Sequence, residues 1–348
     1  MVLAAGLLVA ACTSTGTATP SASEAPASAT VPASATPIAT PTTSNGPSAS
    51  APITANSNYK ITLIVGQNND PFFVTMANGA TAEAKALGVT LTWQGPANYD
   101  PSVQIPIVDA VLAAKPQFLI VAPTDGTALI APLKQFGSAG IPVLTVDSDV
   151  TDTSVRIGNI TSNNNYGGQV AAQQIATLVN NTGNVFMLCD PPGTSTTTDR
   201  ANGFEATIKT VSGITYVGRQ NYNATDASDA TRVMDAELAA QPNLAGVFAC
   251  DGNAGLGAAT AIKSAGKSGQ IKLVSFDVSP DLVAQLQGGT ISGLIIQRSA
   301  DIGALAVDDA VRYLNGDHNV APETLLTTIV GTAANIETPD VQKYIYAP

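Results

Sequence analysis

The stretch Lys60-Ile61-Thr62-Leu63-Ile64-Val65, followed by Gly66-Gln67-Asn68-Asn69-Asp70-Pro71-Phe72-Phe73, decides the fold. Its first half is a β-branched, apolar run, the pattern of a parallel strand buried on both faces. Its second half is a polar turn that leads into a helix pattern running from Pro71 to Leu87, with Gly88 as the stop. The same unit recurs downstream. Strands are expected at Val89–Trp93, Phe118–Val121 and Pro142–Val146, with a helix over Ser102–Ala114 that Ser102 would cap and another capped by Thr124 or Asp125. After a break, helices are expected at 166–179, 198–210, 227–240, 255–265, 280–287 and 302–314. Strands are expected between them at 184–188, 215–219, 245–249, 272–276 and 291–296. Strand and helix alternate throughout, which predicts an α/β fold with two doubly wound parallel-sheet lobes in series.

Open sheets of this kind bind ligands beyond the carboxyl ends of their strands. The polar residues collect there, in Gln67-Asn68-Asn69-Asp70, Asp147-Ser148-Asp149, Cys189-Asp190, Cys250-Asp251 and Phe276-Asp277. Two such sheets facing each other would share one cleft.

The formal net charge is -11 and only 12% of the 348 residues are charged, with no run of Lys or Arg. Phosphate contacts need clustered cations, so nucleic-acid binding is excluded. No nucleophile elbow, Walker loop or complete dinucleotide-binding glycine fingerprint occurs. Gly255-Leu256-Gly257 lacks the third glycine, and the one histidine, His318, sits in a polar turn. No His/Cys cluster fits zinc and the acids lack a calcium-loop spacing, so neither a metal nor a cofactor is expected. Asp109 and Asp308-Asp309 read as solvated helix residues, and Trp93 as either rim or core.

Residues 1–12 are apolar and small and end in Val9-Ala10-Ala11-Cys12. They read as a signal peptide whose lipobox delivers Cys12 as a lipidated N-terminus, although no basic segment precedes them. Residues 13–58 are Ser, Thr, Ala and Pro with hardly a large apolar side chain, and read as a disordered tether. The chain is thus expected outside the cytoplasm, held to the membrane through its N-terminal lipid.

Asn68-Asn69-Asp70-Pro71-Phe72-Phe73 resembles the opening of the ribose-binding type of periplasmic sugar-binding proteins. The likeness continues from Tyr59 to Ile336, through Ala122-Pro123-Thr124-Asp125, Ile141 to Asp147, Tyr166-Gly167-Gly168, Arg200-Ala201-Asn202-Gly203-Phe204, Ser275-Phe276-Asp277 and Gln297. The resemblance implies the type I periplasmic binding protein fold, with a hinge of three chain crossings near Thr161-Ser162, Leu294 to Gln297 and Leu326 to Ile329. Residues 59–162 with 298–326 would form the first lobe, and 163–297 with 327–348 the second. It further implies a ligand set. Phe72 and Phe73 would stack on a sugar ring, and Asp70, Asp147, Arg200, Asp251, Asp277 and Gln297 would bond its hydroxyls, each of which donates and accepts. Ser148 stands where the ribose type has Arg, and Ala122 where it has Asn; Tyr222 is the nearest aromatic to the position near Thr225 that usually closes the second face. These departures leave more carboxylates and fewer amides than a ribose site carries. In a doubly wound second lobe the strands ending at Cys189 and Cys250 should be neighbours, so the two are expected as a disulfide or as close, buried thiols.

The expected function is capture of a small sugar or polyol between the lobes and delivery to a permease of the ABC type, by a monomer that is not an enzyme. A receptor feeding a membrane signalling system is the alternative. A glycan-active enzyme would need a proton-holding carboxyl that the sequence does not identify, and a transcriptional regulator would need a DNA-binding headpiece where the tether stands.

Overall fold

A computed structural model describes residues 53–223 and 226–347. Cys12, most of the proposed tether and Thr225 lie outside the described residues. Among the described residues, no helix is long and apolar enough to cross a membrane.

The first sheet is built from β1 (Lys60–Ile64), β2 (Thr90–Gln94), β3 (Phe118–Val121), β4 (Val143–Val146), β5 (Gly158–Ser162) and β11 (Thr324–Leu326), in the order β11-β5-β4-β3-β1-β2. The second is built from β6 (Gly183–Cys189), β7 (Ile214–Asn221), β8 (Leu244–Ala249), β9 (Lys272–Phe276), β10 (Ile291–Ile296) and β12 (Ile329–Gly331), in the matching order β12-β10-β9-β8-β6-β7. Only the β10–β12 pair is antiparallel. Every residue of β3 and β4 is buried, because helices cover both faces. The chain leaves one sheet for the other after β5, after β10 and after β11.

Helices α1 (Pro71–Leu87), α2 (Pro101–Ala114), α3 (Ile130–Ser138) and α9 (Ser299–Leu314) flank the first sheet. Helices α4 (Asn164–Leu178), α5 (Ser195–Ile208), α6 (Ala227–Ala240), α7 (Gly252–Ser264) and α8 (Pro280–Gln287) flank the second. One contact is built twice. In the first lobe α9 lies so close to α1 that a Cβ on Gly303 would overlap the carbonyl of Met76, and one on Gly79 the carbonyl of Ala300. In the second lobe α4 meets α5 alike, with Gly168 against the carbonyl of Arg200 and Gly203 against that of Asn165. In each lobe the helix that enters from the other lobe is thereby locked, backbone to backbone, onto the helix that carries binding-site residues at its start.

Several boundaries differ from the sequence reading. Asp100, not Ser102, caps α2, accepting from the Ser102 N–H at 2.7 Å, with Pro101 as the first helical residue. Helices α5, α7 and α9 each begin three residues earlier than their apolar periodicity shows, because polar and glycine turns supply the first turn. Asp251 caps α7 through Ala254 N at 2.9 Å. Strands β5, β11 and β12 were not expected; they are short or polar, and sheet pairing alone makes them strands. Contact with the globule begins ahead of Tyr59, since Asn315 bonds Thr54 and Asn56. Trp93 lies on the edge strand β2 and is 38% exposed. Asp308 and Asp309 are half-buried rather than solvated; burial and the neighbouring Glu83 push Asp308 up to about 7.

Cys189 ends β6 and Cys250 follows β8. These strands are neighbours in register, Leu188 opposite Ala249, and the sulfurs are bonded with the Cα atoms 5.0 Å apart. The bond closes a separation of 61 residues, and a loop of that order restricts the unfolded chain by roughly 4 kcal/mol. Cysteine alkylation of the denatured, unreduced protein, read by peptide mass spectrometry, should leave Cys189 and Cys250 unlabelled. Prior reduction should label both and lower the melting temperature. Labelling without reduction would exclude the bond.

Candidate ligand-binding site

In each sheet the strand order reverses at the first strand, β1 or β6, and a crevice opens at the carboxyl end of that point. The two crevices face each other. All eight residues singled out in the sequence as ligand contacts line one cavity of about 90 Å³ between them: Asp70, Phe72, Phe73 and Asp147 from the first lobe, Arg200, Asp251, Asp277 and Gln297 from the second.

The first lobe supplies the flat wall. Pro71 starts α1 and Asp70 caps it, accepting from Phe72 N at 2.8 Å, so Phe72 and Phe73 are held at the helix mouth. The two rings meet edge to face at 5.1 Å, and Phe73 stacks on Tyr99 at 6.1 Å and 19°. Tyr99 also lines the cavity, and its hydroxyl lies 3.3 Å from that of Ser148. Ser148 Oγ donates to Pro123 O at 2.6 Å, so the residue that stands in place of an arginine is spent on the loop.

The second lobe supplies the cation. Arg200 is buried, with its guanidinium 4.0 Å above the Phe276 ring. Its Nε donates to Asn164 Oδ1 at 2.8 Å and its Nη1 to Cys250 O at 2.9 Å. Asp277 is held from three sides: Oδ1 accepts from Gln297 Nε2 at 2.7 Å and Tyr346 Oη at 2.9 Å, and Oδ2 from Gly252 N at 3.0 Å. Asp147 and Asp277 occupy matching turns. Both have left-handed backbones, φ 60° and 75°, and each N–H donates to the next strand, to Ile160 O and Ile295 O.

Asp190, Tyr99, Gln67, Gly252, Asn253 and three threonines, Thr194, Thr196 and Thr197, complete the lining and were not proposed as ligand contacts. Asp190 had a signal, as one more acid at a strand end. Tyr99 had none, because the loop after β2 carries no pattern. Tyr222 does not close the second face; it is buried behind the lining and donates to Asp251 Oδ1 at 2.5 Å.

Five carboxyl groups thus surround one guanidinium. Burial, then the charge of Asp277, raises Asp70 to about 6. Burial raises Asp147 to about 7 against the pull of Arg200. Asp190 is pushed well above the usual carboxylate range by burial and by the neighbouring charge of Asp251. Among the described residues, Asp190 Oδ1, Asp251 Oδ2 and Gln297 Oε1 are buried without a hydrogen-bond partner. Buried acceptors of this kind call for donors. The lobes also touch at the lips of the cleft, where Gly126 N donates to Gly193 O at 3.3 Å and Asp149 N to Ser195 Oγ at 2.9 Å. Asp149 is anchored in turn by Arg156 at 2.5 Å.

Residues 61–318 match the periplasmic binding protein domain. This chain belongs to that family. The binding protein is 32% identical to the ribose import binding protein of Escherichia coli (strain K12), over 77% of this chain and 90% of the relative. It is 28% identical to the D-apiose import binding protein of Paraburkholderia graminis, over 78% and 86%. Among solved structures, an ABC transporter solute-binding protein from Agrobacterium vitis bound with α-D-tagatopyranose is 36% identical, with a TM-score of 0.80, covering 83% of this chain and all of that one. A second from Agrobacterium vitis, with bound D-fucose, is 27% identical with a TM-score of 0.77. The fold is that of the type I periplasmic binding proteins. The relatives are import-binding proteins; this chain is a binding protein of that family, not an enzyme, and works outside the cytoplasm.

The raised acids give a pH dependence. Asp70 and Asp147 hold their protons in the folded, ligand-free protein at pH values where the unfolded chain, near 3.8, has lost them. Their contribution to stability is therefore complete below about pH 4 and is lost as pH rises through about 6 to 7. The melting temperature of the ligand-free protein should rise as pH is lowered from about 8 to about 5, and Asp147→Asn should flatten that slope. A slope that Asp147→Asn leaves unchanged would contradict the assignment.

Proposed function

We propose that the protein captures one small sugar or polyol between its lobes and delivers it to an ABC permease. The observation that carries this reading is one cavity to which the two lobes together bring an aromatic wall, carboxylates, an amide and one guanidinium. Its size supports a monosaccharide. At about 90 Å³ it is well above the roughly 10–15 Å³ that admits one water. A sugar ring offers C–H faces to Phe72 and Phe73 and a rim of hydroxyl donors to the unpartnered acceptors, and a site built on hydroxyls rejects analogues that lack them.

The mechanism is closure. Three chain crossings join the lobes, and the ligand touches both, so it binds the closed form better and shifts the population towards it. The lip bonds at Gly126 and Asp149 belong to that closed form and present a continuous face to the permease. Residues 59–162 with 298–326 act as one body and 163–297 with 327–348 as the other. Cys12 carries the lipid, the residues between it and the globule form the tether, and the protein works as a monomer.

A thermal-shift screen over pentoses, hexoses and polyols should find at least one that raises the melting temperature, because a ligand of the folded state stabilises by mass action. For that ligand, Asp147→Ala and Asp277→Ala should weaken calorimetric binding by about a hundredfold with the circular dichroism spectrum preserved. Arg200→Ala should lose binding and also melt earlier, since Asn164, Cys250 O and Phe276 lose their partner. Wild-type affinity in both aspartate variants would reject the site.

A further inference from the structure

The end of the chain reaches the binding site. After β12 and α10 (Pro339–Gln342), the tail lies along the second lobe, and Tyr346 N donates to Val278 O at 3.3 Å. Tyr346 is buried, and its ring packs edge-on against Phe72 at 5.6 Å and 72°. One residue further on, Ala347 N donates to Thr75 Oγ1 at 2.7 Å, on α1 of the first lobe. The tail therefore contacts both lobes beside the cleft, in addition to the three chain crossings.

We propose that Tyr346 is a positioning residue of the ligand-binding site, acting through the carboxylate of Asp277. The assignment rests on the sugar-binding reading above. Asp277 stands on the wall between two cavities, the ligand cavity and a neighbouring one of about 380 Å³ that Tyr346, Leu256 and Pro280 also line. A carboxylate there has two spaces to face. The Tyr346 hydroxyl binds Oδ1 from the side of the larger cavity, while Gln297 and Gly252 bind the same group from the second lobe. With all three donors in place the carboxylate has one orientation, and its remaining lone pairs are left for the ligand. Burial and the adjacent charge of Asp277 raise the Tyr346 phenol well above its ordinary range, so it remains a donor throughout the physiological range. The same ring supports Phe72, so one side chain sets both an acid and an aromatic contact. No motif marks this role, because the tail is remote in sequence from every other residue of the site.

Tyr346→Phe keeps the ring on Phe72 and removes only the donor. Calorimetric affinity for the sugar identified in the screen is compared in the wild type, Tyr346→Phe, Asp277→Asn and the double variant. Loss of one hydrogen bond to a charged acceptor should weaken binding about tenfold. Because Tyr346 acts through Asp277, the substitution should cost nothing more once Asp277 is Asn. Equal affinity in Tyr346→Phe, or losses that add in the double variant, would overturn the assignment, since a merely structural role predicts additivity. Thr75→Val releases the tail from its other end; it should weaken binding several-fold, and no further when Asp277 is Asn. That comparison decides the question should Tyr346→Phe not fold. A wild type that binds no sugar removes the sugar-binding reading and this assignment together. A wild type that binds, with Tyr346→Phe its equal, removes this assignment alone.

Discussion

The guanidinium of Arg200 is the one cation among the described residues that line the cavity, and five carboxyl groups line it as well. Charges buried without partners are costly, so each acid must find a donor, a counter-charge or a proton. Asp277 has donors. Asp147 faces Arg200 and is raised to about 7 despite it. Asp190 and Asp251 are both raised by burial, and Asp251 has donors in Tyr222 and Ala254 N. The arrangement leaves acceptors over, and a guest with several hydroxyl donors fits that surplus better than the protein alone does.

Arg200 can serve the cavity only because its backbone is fixed. It lies on α5, locked against α4 through Gly168 and Gly203, and its guanidinium is spread over Phe276, the last residue of β9. The first lobe repeats the construction with α1, α9, Gly79 and Gly303, and there the helix start carries the two phenylalanines. The two halves are thus one mechanical design with different side chains at the equivalent helix starts. One carries two phenylalanines at that place and the other an arginine and threonines.

The disulfide joins the ends of β6 and β8, next to Asp190 and Asp251. It fixes the relative position of two strand ends that carry buried acids of the cavity wall. The lip contacts are different in kind. They are two isolated hydrogen bonds, one backbone to backbone and one from Asp149 N to the Ser195 hydroxyl, with no covalent link behind them.

The parallel strands, the helix after Asp70, the two-sheet plan and the acids at strand ends were legible in the sequence. Each depends on local pattern: apolar runs, caps, and polar residues where a strand must turn. The eight proposed contacts were legible because the likeness to sugar-binding proteins runs through contiguous motifs. What only the tertiary structure decided lies between distant segments. Tyr99 comes from a patternless loop, Tyr222 turns away from the cavity to hold Asp251, Tyr346 arrives from the far end of the chain, and Asp308 faces Glu83 across a helix contact. Strand β5, with its Gly-Asn-Ile-Thr-Ser sequence, is a strand because β4 and β11 pair with it. Sequence pattern encodes what a segment does against its own neighbours. Which buried acid meets which hydroxyl depends on how the segments are brought together, and that is set by packing in three dimensions.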